Sequence, residues 1–178
     1  MTYKTNQTIY TIGHSNLPIE KFTEMLEVFG IDTLIDVRSM PGSRKYPQFN
    51  QDILKKSLAK IGITYYHFKS LGGRRKVQKE SINTLWRNKS FQAYADYMHA
   101  DEFAKGLDEL KELATHHTCA IMCAEAVWWR CHRSMISDVL KVQDWEVLHI
   151  MGANKVTEHP YTSPARIVNG KVSYSEEE

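Results

Sequence analysis

The sequence predicts an α/β domain: a mostly parallel sheet of about five strands with helices on both faces, plus a small C-terminal β-hairpin. Three observations carry this reading. Short β-branched or apolar runs alternate with stretches whose apolar residues recur at helical spacing, the pattern of strands joined by crossover helices. At 178 residues and 20.6 kDa the chain has the length of one domain with a substantial core. Near its end, Asn169-Gly170 separates two alternating runs, a type I′ hairpin signal. One domain is therefore expected over 1–178, with its core over about 8–152 and the hairpin and tail over about 153–178.

Thr8 to Ile12 is β-branched and aromatic and is broken by Gly13-His14-Ser15-Asn16. Ile19, Phe22, Leu26 and Phe29 then recur at helical spacing, with Gly30 as the stop. Thr33 to Val37 reads as a buried strand, and Ser39 to Asn50, with two prolines and Gly42, as a loop. Asn50 is placed to cap a helix carrying Ile53, Leu54, Leu58 and Ile61, ended by Gly62. Ile63 to Phe68 is the third strand, and Leu71-Gly-Gly-Arg-Arg75 opens a long basic connection. Ser90 is expected to cap a helix through Tyr97, and a second helix carries Phe103, Leu107, Leu110 and Leu113. A fourth strand from Cys119, a helix with Met135, Ile136, Val139 and Leu140, and a fifth strand over Glu146 to Ile150 complete the core.

Composition narrows the classes. A hydrophobic content of 42% and a charged content of 25% are those of an ordinary globular protein. No run has the length of a membrane span, and Met1-Thr-Tyr-Lys4 lacks a secretory apolar stretch, so cytoplasmic residence and no membrane partner are expected. Three cysteines suit a reducing compartment better than a closed disulfide framework. The net charge of +2 is too mild to indicate nucleic acid on its own.

Ligands of parallel sheets bind at the carboxyl ends of strands, and here each of the first four strands ends in, or leads into, polar residues. His14 and Ser15 follow the first, Asp36 and Arg38 end the second, and Arg74 lies beyond the third. Cys123 and Glu125 end the fourth, and Arg130, Cys131, His132 and Arg133 lead into the next helix. Positive charge and helix amides both stabilise a thiolate or an anion. The expected roles are therefore Cys123, Glu125, Cys131 and His132 for chemistry. His14, Ser15, Asp36, Arg38, Arg44, Arg74 and Arg133 are expected to bind a small anionic or nucleotide-like substrate.

Each feature has a plainer reading. Free cysteines are often packing residues, Asp36 and Arg38 can form a strand-end ion pair, and Glu125 can pair with Arg130 or Arg133. Ser15 and Asn16 suit a turn that opens the next helix. The order of strand, cysteine, loop, arginine and helix is similar to that of rhodaneses and cysteine phosphatases. The Cys123–Arg130 spacing, however, is one residue longer than the phosphatase loop, and the loop has no glycine.

Two alternatives compete with the thiol enzyme. A metal, zinc or iron, would use Cys123, Cys131, His132 and His14, although Cys123 and Cys131 are spaced more widely than a usual chelating pair. A nucleic-acid-binding or nucleic-acid-modifying module would use the basic stretch Lys69, Arg74, Arg75, Lys76 and Lys79. The residues point to no particular cofactor.

Together the blocks Thr11–Ser15, Leu34–Arg38, Pro41–Arg44 with Pro47 and Phe49, Leu71–Arg74, Phe91–Met98, Met122–Glu125 and Cys131–Arg133 resemble the uncharacterised family called domain of unknown function 488. The resemblance runs from about residue 9 to 150 and touches His159-Pro160. Its pattern has proline where this chain has Trp128. The resemblance implies a compact α/β domain and marks these polar residues as its site, without supplying a reaction. From the residues, the expected chemistry is that of a thiol-dependent transferase or hydrolase.

Overall fold

Side chains alternate across a strand, and here that alternation builds a separate core on each face of one sheet. The computed structural model describes residues 7–176; Met1–Lys4 and the end of the acidic tail, Glu177 and Glu178, lie outside the described residues. The elements run β1 (Thr8–Gly13), α1 (Ile19–Val28), β2 (Thr33–Asp36), α2 (Gln51–Ala59) and β3 (Thr64–His67). Next come α3 (Lys89–Tyr97), α4 (Asp101–His116), β4 (Cys119–Cys123), α5 (Arg133–Val142), β5 (Glu146–Gly152) and β6 (Lys155–Glu158). Ile12, Leu34, Ala120 and Met122 pack against Phe22 and Leu26 of α1 and Leu54 and Leu58 of α2. Ile9, Ile35, Cys119, Ile121 and Cys123 face the opposite way, toward α3, α4 and α5. The expectation of helices on both faces holds, and among the described residues no helix is long and apolar enough to cross a membrane.

The strand order is β3-β2-β4-β1-β5-β6, parallel throughout except for β6. From β1 the chain crosses by α1 toward the β3 edge, whereas from β4 it crosses by α5 past β1 to β5. The two connections leave in opposite directions on opposite faces. That reversal opens a crevice beyond the carboxyl ends of β1 and β4, where open parallel sheets hold ligands.

The sheet has six strands where about five were expected. The extra one, β6, is a four-residue exposed edge strand paired antiparallel to β5, too short and polar to show a period of two. The hairpin β7 (Arg166–Val168) and β8 (Lys171–Ser173) forms as expected, with Asn169 and Gly170 at φ of 52° and 76°. Both values suit a type I′ turn.

Two caps differ from expectation. Asn50 precedes α2 but makes no side-chain cap; its Oδ1 accepts from the Ser43 amide instead and ties the 39–50 loop back on itself. The α3 cap is Asn88, whose Oδ1 accepts from the Ser90 and Phe91 amides. Ser90 thus lies inside the first turn, because the helix starts one residue earlier, at Lys89.

Candidate functional site

Gly13 decides how the crevice is built. A Cβ placed on it would lie 1.7 Å from the carbonyl oxygen of Glu125. Only glycine lets the segment after β4 fold across the end of β1, where His14 and Ser15 donate their amides to the Cys123 and Ala124 carbonyls at 3.0 and 2.9 Å. Because the obstructing atom is backbone, Gly13→Ala is expected to cost ~3 kcal/mol. That corresponds to a melting temperature lower by roughly 6–12 °C in a thermal scan. An unchanged melting temperature would show that the approach is not required.

Two adjoining cavities occupy the crevice. The first, about 510 Å³, is lined by His14, Ser15, Arg38, Arg74 and Glu125, with Ser39, Met40, Lys45 and Tyr46 of the following loop. The second, about 210 Å³, is lined by Arg38, Arg74, Glu125, Cys123, Cys131 and His132, with Ser90, Phe91 and Arg130. Most of the residues singled out from the sequence therefore meet in one place. Arg44 does not: it is exposed and lines a neighbouring depression with Pro41 and Gln51, while Lys45 faces the crevice. Asp36 lies beneath the wall, fully buried, and Arg133 lies beneath the floor.

Asp36 lines neither cavity and serves as the counter-ion of Arg38. Its carboxylate accepts from Arg38 Nε at 2.9 Å and Nη2 at 2.7 Å, and also from the Tyr65 hydroxyl. Burial, then the Asp36 charge, raises the Tyr65 hydroxyl well above its usual range. This fork fixes the Arg38 plane, and its remaining nitrogen lies 3.3 Å from His14 Nε2. His14 donates from Nδ1 to the Ser15 carbonyl at 2.8 Å and stacks on Phe49, with ring centroids 4.3 Å apart. Burial lowers His14 to about 4, and Arg38 reinforces the effect, so the ring is neutral and accepts from Arg38.

Arg133 is fully buried at the first position of α5. Its guanidinium reaches Cys123 Sγ at 2.6 Å, the Glu125 carbonyl at 2.8 Å, the Ala126 carbonyl at 3.5 Å and Thr11 Oγ1 at 3.3 Å. Burial lowers Arg133 to about 10, partly offset by the charge of Glu125, so it remains a cation at neutral pH. The exposed Glu125 carboxylate stands at the junction of the two cavities, and Arg133 bonds the Glu125 backbone, not its side chain.

Cys131 Sγ accepts the Arg133 amide at 3.4 Å and lies 3.6 Å from His132 Nδ1. His132 Nε2 donates to the Val37 carbonyl at 2.9 Å, which leaves Nδ1 with a lone pair facing the sulfur. Burial first, and then Arg133, hold His132 down at about 4. The structure pairs Cys123 with Cys131 as a disulfide, so the thiol chemistry of either belongs to the reduced form. Cys119 stands apart in β4, its thiol pushed up to about 12 by burial.

Behind Arg133 runs a buried polar line that the sequence did not reveal. Thr11 Oγ1 meets His149 Nδ1, and His149 Nε2 lies 2.8 Å from His159 Nδ1. His159 Nε2 lies 2.7 Å from Asp138. Thr162 and Tyr174 complete the Asp138 shell. One proton arrangement satisfies every atom, with each donor from Arg133 outward pointing toward Asp138. Trp128, which stands at the proline position of the resembling pattern, stacks on His149 at 4.8 Å between centroids. The available signal was a histidine at an inward-facing position of a buried strand.

The competing arrangements gather less. Among the described residues no group of three or more His, Cys, Asp or Glu is arranged to hold a metal ion. His14 and His132 are already engaged by Ser15, Arg38 and Val37. In the basic stretch, Arg75 is occupied structurally: it donates to the Gly72 and Lys69 carbonyls and lies 3.4 Å over the Tyr97 ring. No curated protein and no solved structure matches the chain. Residues 18–140 do match one family model, described as Domain of unknown function DUF488, and the chain belongs to that family.

Proposed function

We propose that the protein is a thiol-dependent enzyme acting on a small anionic or nucleotide-like substrate. The observation that carries this reading is the buried Arg133 guanidinium 2.6 Å from Cys123 Sγ. Its other partners are a hydroxyl and two carbonyls, so the sulfur is the one bonded group able to take up a counter-charge by ionising. A cation in a low-dielectric site favours the charged form of a neighbouring thiol. Cys123 is then the nucleophile at the floor of the smaller cavity. Arg74, Lys45 and Arg130 supply exposed positive charge around it, while the charge of Arg38 is already balanced by Asp36. Attack by Cys123 Sγ on an electrophilic centre forms a covalent adduct, the leaving group departs with the bonding electron pair and takes a proton from solvent at the open rim, and water, giving up its proton to the Glu125 carboxylate, or a second acceptor releases the adduct. The second step decides between hydrolase and transferase.

Competitive labelling of the reduced protein with iodoacetate and iodoacetamide tests this. Cys123 is expected to react at pH 6–7, where an ordinary thiol is almost wholly protonated. Anionic iodoacetate should be favoured at low salt, and the preference should shrink in high salt and in Arg74→Ala/Lys45→Ala. A Cys123 that stays inert until its ordinary range removes the thiolate. A Cys123 that reacts without preference for the anion removes the substrate class.

A further inference from the structure

We propose that Cys131 is a resolving thiol, so that the site works as a dithiol reducing a small anionic disulfide. The inference rests on the thiolate reading of Cys123 and adds to it the reaction class. Both sulfurs face the same small cavity, at 3% and 4% exposure, and they touch. One residue serves both: the Arg133 guanidinium reaches Cys123 Sγ, and its backbone amide at the start of α5 reaches Cys131 Sγ. The two sulfurs differ in the way that divides their labour. Cys123 has a permanent cation against it, so it attacks first. Cys131 has the helix amide and the His132 Nδ1 lone pair at 3.6 Å, an acceptor for its proton. His132 is held in that pose by its bond to Val37, by edge-on packing with Tyr94 at 5.0 Å, and by Gly73, where a Cβ would lie 2.5 Å from Nδ1.

The steps balance. Cys123 thiolate attacks one sulfur of the substrate disulfide, forming a mixed disulfide and releasing one substrate thiolate. Cys131, its S–H oriented by His132 Nδ1, gives its proton to the released substrate thiolate, and its sulfur attacks Cys123 Sγ. The second substrate thiolate leaves, Cys123 and Cys131 are oxidised to an internal disulfide, and the substrate disulfide is reduced to two thiols. A small external dithiol returns the pair to the reduced state.

Glutathione disulfide, an anionic disulfide, is the probe, read by intact mass and peptide mapping after an acid quench. The wild type should lose two hydrogens in mass and carry no adduct. Cys131→Ser should accumulate one glutathione on Cys123, and Cys123→Ser should accumulate none on Cys131. Labelling with maleimide before and after unfolding checks the fold, because Cys119 should stay protected in each native variant. An adduct that persists on wild-type Cys123, or one that forms on Cys131 in Cys123→Ser, overturns the resolving role. If Cys123 alkylates as a thiolate but no internal disulfide forms at any glutathione disulfide concentration, the dithiol reaction fails while the thiolate reading stands. If Cys123 is inert to alkylation as well, both fail.

Discussion

Arg133→Met is expected to slow alkylation of Cys123 at pH 7 by about tenfold or more, since a thiol of ordinary acidity is only a few per cent ionised there. The midpoint of the pH–rate profile should move up to the usual thiol range. The guanidinium is fully buried and bonds the Cys123 sulfur directly, so its field at the sulfur is weakly screened. Methionine keeps much of the volume without leaving an unpaired charge, and such apolar replacements of buried charges are tolerated. Arg133→Lys is the informative companion. It retains a cation, but a single ammonium cannot serve the Thr11 hydroxyl, the Glu125 and Ala126 carbonyls and the sulfur together. An intermediate rate is expected from it. Circular dichroism and thermal melting establish that the variants fold. An unaltered profile in a folded Arg133→Met protein would remove Arg133 as the source of Cys123 reactivity.

Stability is expected to fall steeply between pH 6.5 and pH 4. Burial lowers His14 and His132 to about 4 and His149, beside His159 and Arg133, to about 2. In the unfolded chain each takes up a proton near pH 6.5. Over this window the unfolded state binds protons that the native state refuses, so stability rises with pH and is complete above 6.5. As pH falls toward each native value the contribution is lost. Each histidine contributes a slope of about 1.4 kcal/mol per pH unit, so the three together give on the order of 4. Urea unfolding at pH 5, 6, 7 and 8 reads this directly. His149→Gln, which can still donate and accept, should flatten the slope by roughly a third. Equal stability at pH 5 and pH 7 would mean that the rings are not held neutral.

Much of the site was legible because its residues sit at strand ends that hydrophobic patterning already marks. Cys123 ends a buried strand and His14 and Arg38 follow two others, and parallel order brings those ends together whatever the details of packing. The difference between Arg44 and Lys45 was not legible, because the loop between β2 and α2 has no period, and a one-residue change of facing is set by local turns such as the Asn50–Ser43 bond. The role of Asp36 was open between ligand and counter-ion. It depends on Tyr65 and Arg38 converging on one carboxylate, and Tyr65 comes from a neighbouring strand 29 residues away. β6 was missed because four exposed residues on a sheet edge carry no alternation.

By itself the sequence determined the α/β class, the type I′ hairpin turn, the two helix stops at Gly30 and Gly62 and the end of the sheet where polar residues collect. These follow from local periodicity and from backbone preferences that neighbours in the chain express. The tertiary structure decided which charge faces which atom. Arg133 could have been a surface cation or a partner of Glu125; strand order β2-β4-β1 with α5 crossing behind it buries the side chain between Thr11 and Cys123. The line from Thr11 through His149 and His159 to Asp138 likewise joins four segments distant in sequence. Electrostatic partnership depends on distance and burial, and both are properties of the packed sheet and helices, not of spacing along the chain.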